Sequence, residues 1–272
     1  MRRLFLAALF LVATSSASAM TREDVSFPPA AATNITKTFG KLYKPDGAGP
    51  FPAVVILHGC GGHLENSDDW AKLLVKNGYA ALTTDHFSPR GVKSICEDFV
   101  LVPQRDRRAD TFGALQYLAG RNDIDAKKIG VMGFSNGGYS SLSAVIGKPL
   151  GVGDARFAAA VPVYPGCASF TGFALTAPTL ILVGEADDWT PAEACRRLVE
   201  KLPSGSAPAT LITYPDASHS FDQVDQKPMY LPNAFNPNAS GGRGAHIGYN
   251  PAATTAARRD ALAFFDTHLK GR

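Results

Sequence analysis

The apolar positions of this chain gather in short solid runs, with longer amphipathic stretches between them. "AVVILH" (Ala53 to His58) is continuous, as expected of a strand buried on both faces. "YAALTTD" (Tyr79 to Asp85), "KIGVMGF" (Lys128 to Phe134), "FAAAVPVY" (Phe157 to Tyr164), "PTLILVG" (Pro178 to Gly184) and "ATLITYP" (Ala209 to Pro215) read as further short buried strands. Helical patterns fill the gaps. In the first, Ser67 can act as the cap, Trp70, Leu73 and Leu74 share a face, and Gly78 stops it. A second runs from about Gln104 to Gly120 with Phe112, Leu115 and Leu118 on one side, and others follow Ser135 and span Pro191 to Leu202. The last starts with Asn250 as cap and Pro251 in first position, and carries the stripe Ala261, Phe264, Phe265 and Leu269. Strands alternating with helices imply right-handed crossovers and a mostly parallel central sheet with helices on both faces, an α/β fold. One such domain accounts for residues 34–272. Residues 20–33 read as a polar, proline-containing lead-in, loosely held.

The first nineteen residues have a different character. Arg2 and Arg3 precede the apolar run Leu4 to Ala13, and Ala17-Ser18-Ala19 has the small-x-small form of a signal-peptidase site. The run is about half the ~20 apolar residues an anchor needs, so the expectation is a leader cleaved after Ala19 and a periplasmic or secreted protein, with no membrane anchor. Losing those two arginines leaves 25 basic against 24 acidic residues, which gives no electrostatic case for nucleic acid or an anionic membrane. Four cysteines in an oxidising compartment suggest two disulfides. Cys60 and Cys96 follow two strands expected to be neighbours, and Cys167 and Cys195 follow the next pair to reach the same edge. The expected pairing is therefore Cys60–Cys96 and Cys167–Cys195.

One junction carries most of the chemistry. "GFSNGG" (Gly133 to Gly138) sits between a strand and a helix, the setting that makes G-x-S-x-G a nucleophile elbow. Ser135 must take a strained conformation to project its hydroxyl, and glycines must flank it because side chains would collide with neighbouring backbone. A serine nucleophile needs a base, and the base needs an orienting acid. Of six histidines, only His219 lies in the loop after the final strand. The acid has three candidates in "GEADDWTP": Glu185, Asp187 and Asp188. A side chain three residues past Gly184 can fold back across the strand ends toward His219, which favours Asp187. Asp188 is expected to turn toward the helix near Pro191, and Glu185 lies too close to the strand end. The oxyanion needs two backbone N–H donors, expected from Asn136 after the nucleophile and from Cys60 in "LHGCGGH". His58, Cys60 and His63 form a rival metal set, but no partner cluster accompanies them, and no metal or other cofactor is expected.

Together, "GFSNGG", "GEADDWTP", "SHSFD" and "GYNPAA" resemble the α/β-hydrolase superfamily and, within it, the dienelactone hydrolase family, over nearly all the chain past the leader. The resemblance implies an α/β-hydrolase fold and a Ser-His-Asp triad. Its G-x-x-D pattern, with proline four residues later, lands on Asp187 and Pro191. Two departures stand out: dienelactone hydrolases proper carry cysteine where this chain has Ser135, and they are cytoplasmic. Dienelactone as the substrate therefore does not carry over.

The link from Tyr164 to Pro178 is too short for a helical lid, so no large lid is expected. Arg90 can contact a substrate carboxylate or pair with an acid such as Asp85 or Glu97. The long segment from Asp222 to Tyr249 can line the mouth with Tyr230, Phe235 and Tyr249. The reading is a serine hydrolase of a small-molecule carboxylic ester or lactone. Its rivals are a thioesterase or peptidase using the same triad, and a catalytically silent exported binding protein on the same scaffold. Oligomeric state is not encoded in these patterns.

Overall fold

A computed structural model describes residues 20–151, 153 and 155–271; the expected leader lies outside the described residues. Eight strands form the central sheet: β1 (Met20–Phe27), β2 (Thr38–Pro45), β3 (Phe51–Leu57), β4 (Ala80–Asp85), β5 (Ile124–Phe134), β6 (Ala159–Val163), β7 (Thr179–Gly184) and β8 (Ala209–Tyr214). Their order is β1-β2-β4-β3-β5-β6-β7-β8. The run from β4 to β8 is parallel, while β1 and β2 join it antiparallel. This is an α/β-hydrolase fold, with no large lid.

Alternation along β3 sorts the helices. Val54 and Ile56 pack toward α1 (Glu65–Lys76), through Trp70 and Leu74, and toward the face shared with the C-terminal helix. Ala53, Val55 and Leu57 face α2 (Gln104–Ala119), through Phe112, Leu115 and Leu118. Two short helices, α3 (Asn136–Ala144) and α4 (Ala192–Glu200), meet over β7, where Leu142, Cys195 and Leu198 pack on Ile181 and Val183. At an upper-range ~2 kcal/mol for each buried large aliphatic or aromatic side chain, these layers supply the main driving force of folding.

Two expectations need correction. The lead-in is not loose: Met20–Phe27 is an edge strand in unbroken register with β2, from Met20 opposite Pro45 to Phe27 opposite Thr38. Backbone pairing makes no demand for apolar side chains, and charges such as Arg22, Glu23 and Asp24 are what a solvated edge tolerates. Ser67 does not cap α1 either. The helix begins at Glu65 with Leu64 in the cap position, and Ser67 is buried inside the first turn, its N–H donating to Leu64 O. Glu65 and Asp68 favour that start through the helix dipole. By contrast, Asn250 does cap α5 (Pro251–Phe265), its side chain accepting from Ala253 N–H.

The segment after β8 folds into a two-stranded antiparallel ribbon, β9 (Met229–Phe235) with β10 (Arg243–Ile247). It caps the C-terminal edge of the sheet around a small core of its own, where Ala234, Ala245 and Ile247 meet Cys60, Phe87, Ile95 and Trp189. No helix among the described residues is long and apolar enough to cross a membrane.

Candidate active site

The end of β5 explains its glycines. A Cβ on Gly133 would stand 2.2 Å from Gly137 O, and one on Gly137 would stand 2.1 Å from Leu57 O. The strand, the turn and α3 approach more closely than any side chain permits. Ser135 sits between them at φ 53° and ψ −115°, a conformation costing on the order of 1–3 kcal/mol and retained because its surroundings fix it. Its N–H donates to Val163 O at 2.9 Å, which ties the elbow to β6.

Ser135 Oγ lies 2.8 Å from His219 Nε2, and His219 Nδ1 lies 2.8 Å from Asp187 Oδ2. His219 follows β8 and is held from the far side by the ribbon. It bridges to Ile247, and Gly248 N–H donates to its carbonyl at 3.1 Å. Asp187 is anchored by neutral donors: Trp189 N–H and Thr190 N–H reach Oδ1 at 2.9 and 2.8 Å, and the Thr190 hydroxyl reaches Oδ2 at 3.0 Å. The imidazole is sandwiched by Tyr164 and Trp189, with ring centroids 4.6 and 4.8 Å away. Both aromatics escaped the sequence reading. Their signal is position, since each follows a strand end within a few residues, as the functional groups do.

Tyr164 is itself pinned. Its hydroxyl donates to Asp222 Oδ1 at 2.5 Å, and Asp222 Oδ2 accepts from Trp70 Nε1 at 2.8 Å. Burial, together with the Asp222 charge, pushes the Tyr164 hydroxyl well above its ordinary pKa, so it stays a neutral donor.

The glycine-rich loop after β3 packs on the elbow, with a Cβ on Gly59 only 3.6 Å from Ser135 Cβ. Beneath it, Arg107 Nη2 donates to His58 O at 2.7 Å, while His58 Nε2 accepts from His86 N–H at 3.1 Å. Burial and the nearby Arg107 charge hold His58 well below its ordinary pKa, and burial lowers Arg107 to about 9. Cys60 lines a cleft of about 160 Å3 and Asn136 one of about 350 Å3, and Ser135 lines both. Disulfides join Cys60 to Cys96 and Cys167 to Cys195, so the Cys60 sulfur is committed to a covalent bond. Among the described residues no three His, Cys, Asp or Glu side chains converge as metal ligands.

The sequence profile of the dienelactone hydrolase family matches residues 38–269, which include every group just described. The chain belongs to that family. A putative carboxymethylenebutenolidase of Yersinia pestis is 29% identical over 206 residues, covering 70% of this chain and 75% of that protein. A crystal structure of a putative dienelactone hydrolase from Klebsiella pneumoniae superposes with a TM-score of 0.68 at 21% identity, covering 91% of this chain and 98% of that one. The dienelactone hydrolase from Anabaena variabilis superposes at 0.67 with 22% identity, covering 92% and 99%.

Within this dienelactone hydrolase-family chain, four expectations fail. Arg90 does not face the cleft: it donates to Asp110 through Nη1 at 2.7 Å and Nη2 at 3.2 Å, and its side chain is only 2% exposed. Neither Asp85 nor Glu97 is its partner, because Asp110 on α2 is the acid the fold brings beneath it. Tyr230 packs at a tilt against His246 on the exposed side of the ribbon, and Tyr249 lines neither cleft; Phe235 does line the larger one, while Leu231 and Ile247 line the smaller. Along β9, alternation turns Tyr230 away from the face of Leu231 and Phe235, whereas Tyr249 lies beyond the end of β10. Asp188 turns to the ribbon rather than to α4, accepting from His246 N–H at 2.9 Å, with His246 Nδ1 at 2.7 Å. Glu185 is exposed and accepts from Arg196 at 2.6 Å.

Proposed function

We propose that this chain is a serine hydrolase that cleaves a carboxylic ester or lactone through an acyl-enzyme. The observation that supports it most is the unbroken relay from Ser135 through His219 to Asp187, each contact 2.8 Å. Ser135 attacks the carbonyl while His219 Nε2 takes its proton, and Asp187 holds the imidazole in the tautomer that leaves Nε2 free. The N–H groups of Cys60 and Asn136 receive the oxyanion. Asn136 opens α3, so its N–H has no intrahelical acceptor and lies at the positive end of the helix dipole. His219 then protonates the leaving oxygen and activates water for deacylation. The mechanism calls on no metal or other cofactor.

Two disulfides around the site support the further reading of an exported, periplasmic or secreted enzyme. The test is labelling: a serine-directed phosphonate modifies Ser135 alone in the wild type, and Ser135→Ala loses both label and ester hydrolysis. An alanine variant with near-wild-type turnover would remove the serine mechanism.

A further inference from the structure

We propose that the preferred substrate is an uncharged ester whose bulky apolar acyl group fills the larger cleft and whose small alcohol leaves through the smaller one. This rests on the serine-hydrolase reading above and deepens it. The two clefts meet at Ser135 and Trp189, which line both. His219 lines only the 160 Å3 cleft. The leaving oxygen must come within hydrogen-bond reach of His219 Nε2 to receive its proton. The alcohol therefore belongs on that side, and the acyl group, bonded to Ser135 Oγ, extends into the 350 Å3 cleft.

Size and charge then limit each half. An apolar cavity of ~150 Å3 holds one benzene ring, so the alcohol side takes about one ring and the acyl side about two. The acyl cleft is walled by Phe99, Tyr139, Trp189, Pro191, Phe235 and Pro237. None of the residues lining it is charged, and His219 is the sole titratable one lining the smaller cleft apart from Tyr164 and the bridged cysteines. A carboxylate placed there would be desolvated without a partner. Two buried carboxylates also stand behind the walls, Asp187 behind His219 and Asp222 behind Tyr164. The buried cations are turned away, Arg90 into Asp110 and Arg107 into the His58 carbonyl.

The chemistry balances as ordinary hydrolysis: the ester C–O bond breaks, water supplies the hydroxyl to the acid, and the alcohol leaves with a proton from His219. The experiment compares kcat/KM, corrected for hydroxide reactivity, on dimethyl terephthalate and on its anionic monomethyl ester. A preference for the neutral diester of at least about 100-fold is expected. A second comparison sets methyl 2-naphthoate against 2-naphthylmethyl acetate, which places the same ring on the acyl or the alcohol side. Ser169→Trp, at an exposed position lining the larger cleft, should depress the naphthoate at least about tenfold more than the acetate. Gln223→Trp, in the smaller cleft, should do the reverse. Equal or better cleavage of the anion overturns the charge argument, and a swapped response of the two variants overturns the assignment of the clefts. If no ester is hydrolysed in a Ser135-dependent way, the serine-hydrolase reading fails and this inference fails with it.

Discussion

Two buried histidines among the described residues lean on an aspartate through Nδ1, and only one of them faces a cleft. His219 meets Asp187 at 2.8 Å and His86 meets Asp110 at 3.0 Å, with both rings and both carboxylates buried. The pairs part company at their outer contacts. His219 Nε2 points to Ser135, whereas His86 Nε2 is 2.9 Å from the Thr84 hydroxyl, inside the protein. Besides the imidazole, Asp187 accepts only from neutral N–H and O–H groups, while Asp110 also pairs with Arg90. Burial opposes ionisation of Asp110, but the hydrogen bonds from His86 and Arg90 outweigh it and hold the carboxyl below its ordinary pKa. On the proposed mechanism, what sets the His219–Asp187 pair apart is that its carboxylate has no cation beside it and its second nitrogen meets Ser135 Oγ.

The sharpest way to break this comparison is to remove each carboxylate charge. Asp187→Asn should lower kcat by about 10⁴, as in serine-protease triads, by favouring the wrong tautomer of His219. Its neighbour Asp188 contacts only the ribbon, so Asp188→Asn should change kcat by well under about tenfold; steady-state kinetics on one ester ranks the two. Asp110→Asn should act on stability instead. It strands a buried Arg90 and should cost about 3–5 kcal/mol in urea unfolding, with turnover per phosphonate-titrated site nearly unchanged. If its folded fraction lost turnover as Asp187→Asn does, the distinction between the pairs would collapse.

Opening the Cys60–Cys96 bridge tests the scaffold around the relay. The double variant Cys60→Ala/Cys96→Ala frees a loop closed across a separation of 36 residues and should lose about 3 kcal/mol. Because Phe235 N–H donates to Cys96 O at 2.8 Å, kcat/KM for bulky esters should fall as the ribbon loosens. The smallest effect is on pH dependence. Burial leaves His58 and His86 with pKa values below the ordinary 6.5. Below that pH the unfolded chain takes up protons that the folded chain refuses, so stability is full above about 6.5 and declines as pH falls, by up to ~1.4 kcal/mol per unit for each ring. Urea midpoints between pH 7.5 and 5 check the sign, and His58→Gln should flatten the slope.

The parallel strands and the elbow were legible because burial on both faces demands solid apolar runs and because Gly133 and Gly137 are dictated by sub-van-der-Waals approach. The edge strand Met20–Phe27 was not, since its charged residues satisfy a backbone pairing and only Val25 and Phe27, at its end, turn to the core. The ribbon escaped for a similar reason: Pro232 and Gly244 break the alternation that would announce it. Arg90 was misplaced because its partner lies on a different element. A signal was nevertheless present, since Arg107, Asp110 and Ala114 follow the spacing of the buried face of α2, and charges on such a stripe must find partners inside.

The hold of the ribbon on His219 orders events in time. The proposed nucleophile, acid and base, Ser135, Asp187 and His219, are made in that sequence, yet His219 is fixed from behind by Ile247 and Gly248, shortly before the final helix. A growing or threading chain therefore carries Ser135 on a formed elbow long before it has a positioned base. Under the proposed mechanism, a chain stalled before residue 247 lacks the contacts that hold His219 and leaves esters uncleaved.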